Sequence, residues 1–185
     1  MSLDLGTRTR LVPNQLILAC GGLVLHSRER RSGTHPELLL LQLPGGQKGR
    51  YGRRMDERSV GEWFRSYLDA FAACGRGESN PGAMFDYYGV PMMFATDEDF
   101  VVLSSEEEGA AAIQTQIDGM LAAGYDHSEV LDEETTVLNA TSVLHTARFS
   151  RRRRDESEIG QLTATYLITD GPAGHRISAI AIHSA

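Results

Sequence analysis

The sequence predicts an α+β domain: helices first, then an antiparallel sheet built as a meander. Three observations carry this. One long stretch after residue 58 repeats apolar residues with helical spacing. The segment from residue 129 to 183 contains four runs rich in β-formers, separated by turn residues. Charge and composition also change at Met55: nine Lys/Arg face three Asp/Glu before it, and nine face 22 after it. The formal net charge of −7 is therefore +6 on residues 1–54 and −13 on residues 55–185. Such a split assigns the two parts different physical jobs.

Residues 1–54 read as an irregular basic extension. Pro13, Pro36 and Pro44, with the Gly21-Gly22 and Gly45-Gly46 pairs, break the short leucine clusters. Pro13-Asn14-Gln15 interrupts what would be the apolar core of a secretory signal. Without interleaved aromatics beyond Tyr51, the arginines make a poor nucleic-acid arm. The composition shift is also what a natural start at Met55 would produce.

The elements of residues 55–185 follow in order. Ser59-Val60-Gly61-Glu62 has capping-box spacing. Val60, Trp63, Phe64, Tyr67, Leu68 and Phe71 then form one apolar helix face, and Gly75 and Gly77 end it. Pro81 starts a short second helix, Gly82 to Tyr88. Met92 to Thr96 and Asp99 to Leu103 read as a β-hairpin. Ser105 to Glu108 is a second capping box, before a helix with Ala110, Ile113, Ile117, Met120 and Leu121 as its stripe and Gly124 at its C-terminal end. Strands follow over Glu129–Asn139, Thr141–Ser150, Ile159–Thr169 and Arg176–His183. Arg151 to Glu158 reads as a charged hairpin tip, and Asp170 to Gly174 as a turn.

Several function classes are disfavoured. No run is long and apolar enough for a membrane helix. The cysteines, Cys20 and Cys74, give neither a disulfide framework nor a metal spacing, and they read as reduced thiols of a cytoplasmic protein. The histidines are too dispersed for a metal signature, no phosphate loop is present and no cofactor is implied. The Arg151–Arg154 run is followed by Asp155, Glu156 and Glu158, so it reads as solvated. Asp126-His127 looks like a dyad, but sequence neighbours need not face one another.

Taken together, Trp63 to Phe71, Phe85-Asp86-Tyr87-Tyr88 with Pro91, Ser105-Glu106-Glu107, Thr165 to Ile168 and Gly174-His175-Arg176-Ile177 resemble the nuclear transport factor 2-like superfamily, which includes SnoaL-like proteins with a cystatin-like fold. The resemblance covers residues 58–183. It implies a cone, in which a curved antiparallel sheet wraps a long N-terminal helix, with two further helices. It also implies a cavity between helices and sheet, and a homodimer formed through the sheet. Members include isomerases, lyases, cyclases and non-catalytic modules, so the fold alone does not choose between catalysis and binding. The turn before the last strand commonly carries Gly-Trp, and here it is Gly174-His175.

Strand parity sorts the candidate site residues. His145 shares a face with Val143, Ala147 and Phe149, and Tyr166 with Leu162, Ala164 and Ile168. Both are expected to point inward. His145 would then move protons near neutral pH. By the resemblance, Tyr67 lies where the ketosteroid isomerase branch places its oxyanion-stabilising tyrosine. That branch also needs a carboxylate base where this chain has Met92-Met93-Phe94, which argues against a faithful isomerase. His145, Tyr67 and Tyr166 are thus the catalytic candidates. Trp63, Phe64, Tyr88, Met92, Phe94 and His183 are candidate ligand contacts. The expected partner is a small neutral or apolar ligand, with neither nucleic acid nor membrane. The alternative is a non-catalytic dimeric interaction module whose cone is filled by side chains.

Overall fold

A computed structural model of the chain describes residues 55–183. The basic extension and Cys20 lie outside the described residues. Six strands form one curved, unclosed sheet in the order β2-β1-β6-β5-β4-β3. They are β1 (Tyr88–Ala95), β2 (Phe100–Leu103), β3 (Tyr125–Asn139), β4 (Ser142–Arg153), β5 (Glu158–Gly171) and β6 (Gly174–His183). Helix α1 (Glu57–Gly75) lies against the inner face, and α2 (Glu106–Ala122) connects β2 to β3.

α1 starts one turn earlier than the Ser59 box suggests. Asp56 is the N-cap: its Oδ1 accepts from the Ser59 amide at 2.8 Å, and Ser59 Oγ accepts from the Asp56 amide at 3.4 Å. The box is the same device, read one partner too late. Val60, Phe64, Tyr67 and Phe71 are buried as the spacing requires, while Trp63 and Leu68 are half-buried. Gly77 takes φ +73° just past the helix, a left-handed conformation that costs glycine little.

The expected second helix is a 3-10 turn, Pro81–Asp86, capped by the Asn80 side chain on the Gly82 amide at 2.7 Å. Tyr88 leaves it to begin β1. α2 is capped by Ser105 Oγ, and Glu108 reaches back to the Ser104 amide at 2.7 Å. Ile113, Ile117 and Met120 of its stripe are buried, but Leu121 is exposed.

β4, β5 and β6 form the expected meander, with His145 opposite Tyr166 and Tyr166 opposite Ile180. One pair departs from the antiparallel expectation, because β1 runs parallel to β6. The hairpin tip is also shorter than expected. β4 continues through Arg153 and β5 begins at Glu158, so only residues 154–157 turn, with Glu156 at φ 64°. The inner face of β4 and β5 is Val143, His145, Ala147, Phe149, Leu162, Ala164, Tyr166 and Ile168, all buried. Among the described residues, no helix is long and apolar enough to cross a membrane.

Candidate functional site

The side chains that α1 lays on the sheet divide the interior in two. Phe64 sits at the division. Its ring is 4.1 Å from His145 and 5.0 Å from Tyr166, centroid to centroid. Toward α2 and the β1–β2 hairpin the interior opens into a cavity of about 690 Å³. Toward the start of α1 it closes over His145.

The cavity is mainly apolar, lined by Phe71, Phe94, Leu103, Ile113, Leu162 and Ile180 among others. Three tyrosines from three elements reach it: Tyr67 of α1, Tyr88 of β1 and Tyr166 of β5. Their rings pack edge-on, with Tyr67 centroids 5.9 Å from both Tyr88 and Tyr166, and the Tyr67 and Tyr88 hydroxyls share a hydrogen bond at 3.2 Å. Burial pushes the ionisation of all three well above the ordinary tyrosine range. At neutral pH they are therefore protonated donors rather than bases. The remaining polar lining is Ser105, Glu107, Glu108, Thr115 and Gln116 at or near α2, with Ser128 and Arg151 on the sheet. Size, apolar lining and a few convergent polar groups are the composition of a small-molecule site.

Of the residues singled out from sequence, Tyr67, Tyr166, Tyr88, Met92 and Phe94 line this cavity. Phe64 does not line it but packs on Tyr67 and Tyr166, which do. Trp63 does not line it. The indole packs on Tyr87 at 5.6 Å and edge-on to His175 at 5.8 Å. His175 is itself held by Asp170 at 2.9 Å. His183 is exposed at the end of β6, and its Nε2 meets Thr165 Oγ1 at 3.0 Å. Asp126 and His127 do face one another, at 2.9 Å, but away from the cavity.

His145 is the main departure from parity reasoning. It points inward and is 1% exposed, yet it lies behind Phe64 and does not line the cavity. It abuts a shallow cleft lined by Glu57, Arg58, Gly61, Glu62, Arg65, Glu133 and Thr135. Its Nδ1 shares a hydrogen bond with Thr135 Oγ1 at 2.8 Å. Nε2 has no hydrogen-bond partner among the described residues, the nearest acid being Glu133 at 3.7 Å. Burial lowers its proton affinity more than Glu133 raises it, so the imidazole is neutral at physiological pH.

Sequence reading missed Phe71, Phe149, Ile180 and Arg151 as cavity residues. Arg151 was legible in principle. Extending β4 past Ser150 keeps it in step with Phe149, on the inner face. Among the described residues, no group of three His, Cys, Asp or Glu is placed to hold a metal.

No curated protein matches the chain. Solved structures do match its fold. A domain of unknown function with a cystatin-like fold from Nostoc punctiforme superposes with TM-score 0.53 at 19% identity, covering 70% of this chain and 77% of that one. A protein with a cystatin-like fold from Novosphingobium aromaticivorans gives 0.54 at 14% identity, covering 69% and 80%. A protein from Xanthomonas campestris, assigned as a calcium/calmodulin dependent protein kinase II association domain, gives 0.52 at 13% identity, covering 73% and 96%. A family model matches residues 56–185, and the chain belongs to that family, the NTF2-like proteins of DUF6841.

Proposed function

We propose that the protein binds a small molecule with a largely apolar body in the cavity between α2, the β1–β2 hairpin and the sheet. One observation carries this reading: three tyrosines from three elements line a largely apolar cavity of about 690 Å³. In a site that excludes water, such donors hold a ligand oxygen and would stabilise negative charge developing on it. A lyase, isomerase or cyclase would also need a proton acceptor. The lining carboxylates among the described residues are Glu107 and Glu108, in the first turn of α2. His145 lies behind Phe64, so binding has more support than turnover.

A neutral apolar dye such as Nile red tests the reading. Ala112 lines the cavity but is exposed, so Ala112→Trp can plug the opening without disturbing the core. Dye fluorescence should rise with wild type and fall to background with the plugged variant. Equal enhancement by both would place the dye elsewhere and remove the reading.

A second reading, assembly through the sheet, has its own observation. Met93 and Phe100 are 43% and 60% exposed on the outer side of the β1–β2 hairpin. They adjoin Ala179 and Ala181 of β6 and Leu167 of β5. A homodimer covering this face would bury that apolar surface. Met93→Glu with Phe100→Glu should then give a monomer by light scattering where the wild type gives a dimer. A wild-type monomer at micromolar concentration would count against it.

A further inference from the structure

We infer that the cavity selects ligands carrying a carboxylate on an apolar body, and that Arg151 is the residue that reads the charge. This rests on the ligand-binding reading above and specifies its chemistry. Three arginines follow one another on β4 with different surroundings. Arg152 is paired with Glu129 at 2.7 Å. Arg153 donates to Ala123 O at 2.9 Å and to Glu158 O and Ser157 Oγ at 3.3 Å. Arg151 faces the cavity and, among the described residues, has neither an ion pair nor a side-chain hydrogen bond.

A half-buried guanidinium without a counter-charge is held at a cost that a bound anion would offset. Its planar fork matches the two oxygens of a carboxylate. Ser128, which pairs with Arg151 across β3–β4, and Gln116 of α2 line the cavity with it and add neutral hydrogen-bonding groups. The arginine's charge also reaches Tyr88 and Tyr166, where it partly opposes the effect of burial on their hydroxyls.

The two lining acids do not neutralise this end. Glu107 and Glu108 lie eight or nine residues before Gln116, about 12–14 Å along α2 at 1.5 Å per residue. Both are exposed, and Glu108 is already engaged by the Ser104 amide. The remainder of the lining fits a hydrocarbon or aromatic body. The −13 carried by residues 55–185 gives an anion no attraction at a distance. Salt screens that field within about 8–10 Å, so selection takes place at contact.

Calorimetric titration of the full chain with aromatic and alkyl carboxylic acids, each beside its primary amide, tests the inference. The amide keeps shape and removes charge. Acids should bind wild type about tenfold or more tighter than their amides. Arg151→Met should abolish that preference by weakening the acids far more than the amides, and Arg151→Lys should retain part of it. A thermal melt matching wild type is the control that the variant is folded. If acids and amides bind wild type alike, the inference fails while the cavity reading stands. An acid preference that survives in Arg151→Met removes Arg151 as the reader. If no acid or amide binds wild type, the cavity reading fails and takes the inference with it.

Discussion

The two sides of Phe64 hold different kinds of polar group, though both belong to the inner face of one sheet. On one side, Tyr67, Tyr88 and Tyr166 open onto a cavity and keep protons they can share. On the other, His145 is packed against Phe64, with one hydrogen bond and a neutral ring. His145 and Tyr166 are direct cross-strand partners, so neither register nor parity separates them. Their rings lie 6.4 Å apart, centroid to centroid, and Phe64 of α1 packs on both, yet only Tyr166 lines the cavity. Facing inward is therefore a weaker property than reaching the site, because a curved sheet has depth as well as sides.

The largest expected effect comes from removing the divider. Phe64 is 1% exposed, and Phe64→Ala should cost about 3–5 kcal/mol of stability by denaturant unfolding, through lost burial and the cavity left behind. It should also join the His145 side to the tyrosine side, so that an apolar dye gains a second environment. A loss under about 1 kcal/mol would mean the two sides are not separated by packing.

Two glycines of α1 sharpen the same contrast with opposite signs. A Cβ on Gly75 would lie 2.6 Å from Met120 Cε and from the Tyr125 ring, so Gly75→Ala should destabilise by about 1–3 kcal/mol. A Cβ on Gly61, beside the His145 cleft, meets nothing within 4 Å. Gly61→Ala should therefore stabilise by about 0.5–1 kcal/mol, the helix-propensity gain. Thermal melts of the two variants should move in opposite directions.

A smaller effect is pH-dependent. The fold lowers the proton affinity of His145, so the unfolded chain binds this proton more readily. Stability is then fully present above the ordinary histidine value near 6.5 and declines as pH falls below it toward the folded-state value. His145→Leu removes that contribution, so its stability should fall less than wild type between pH 7 and pH 5 when both are followed by urea unfolding. Identical acid slopes would mean that His145 is not held neutral by the fold.

Much of this fold is local and so was legible in the sequence. The apolar stripe of α1, the Ser105 cap and the inward faces of β4 and β5 follow from period and parity alone. What escaped is set by contacts distant in sequence. The parallel pairing of β1 with β6 joins strands some 80 residues apart, and nothing local encodes it. Tyr88 looks like a helix end and becomes the first residue of β1, because Ile177 of β6 donates its amide to Tyr87 O at 2.8 Å. Arg151 was hidden because a run of four arginines before acids reads as a solvated turn, whereas the strand runs on through Arg153 and alternates their sides. The three tyrosines that line the cavity are among the residues singled out from sequence. The depth that excludes His145 from it was not legible there, because it depends on where one phenyl ring of α1 comes to rest.

The central claim is that ligand occupies the tyrosine side and leaves the histidine side untouched. Aromatic side-chain NMR of the full chain, titrated with naphthaleneacetic acid, tests it most directly. The ring signals of Tyr67, Tyr88 and Tyr166 should shift together along one binding curve while the His145 ring stays in place. A shift centred on His145, with the three tyrosines unmoved, would contradict the account.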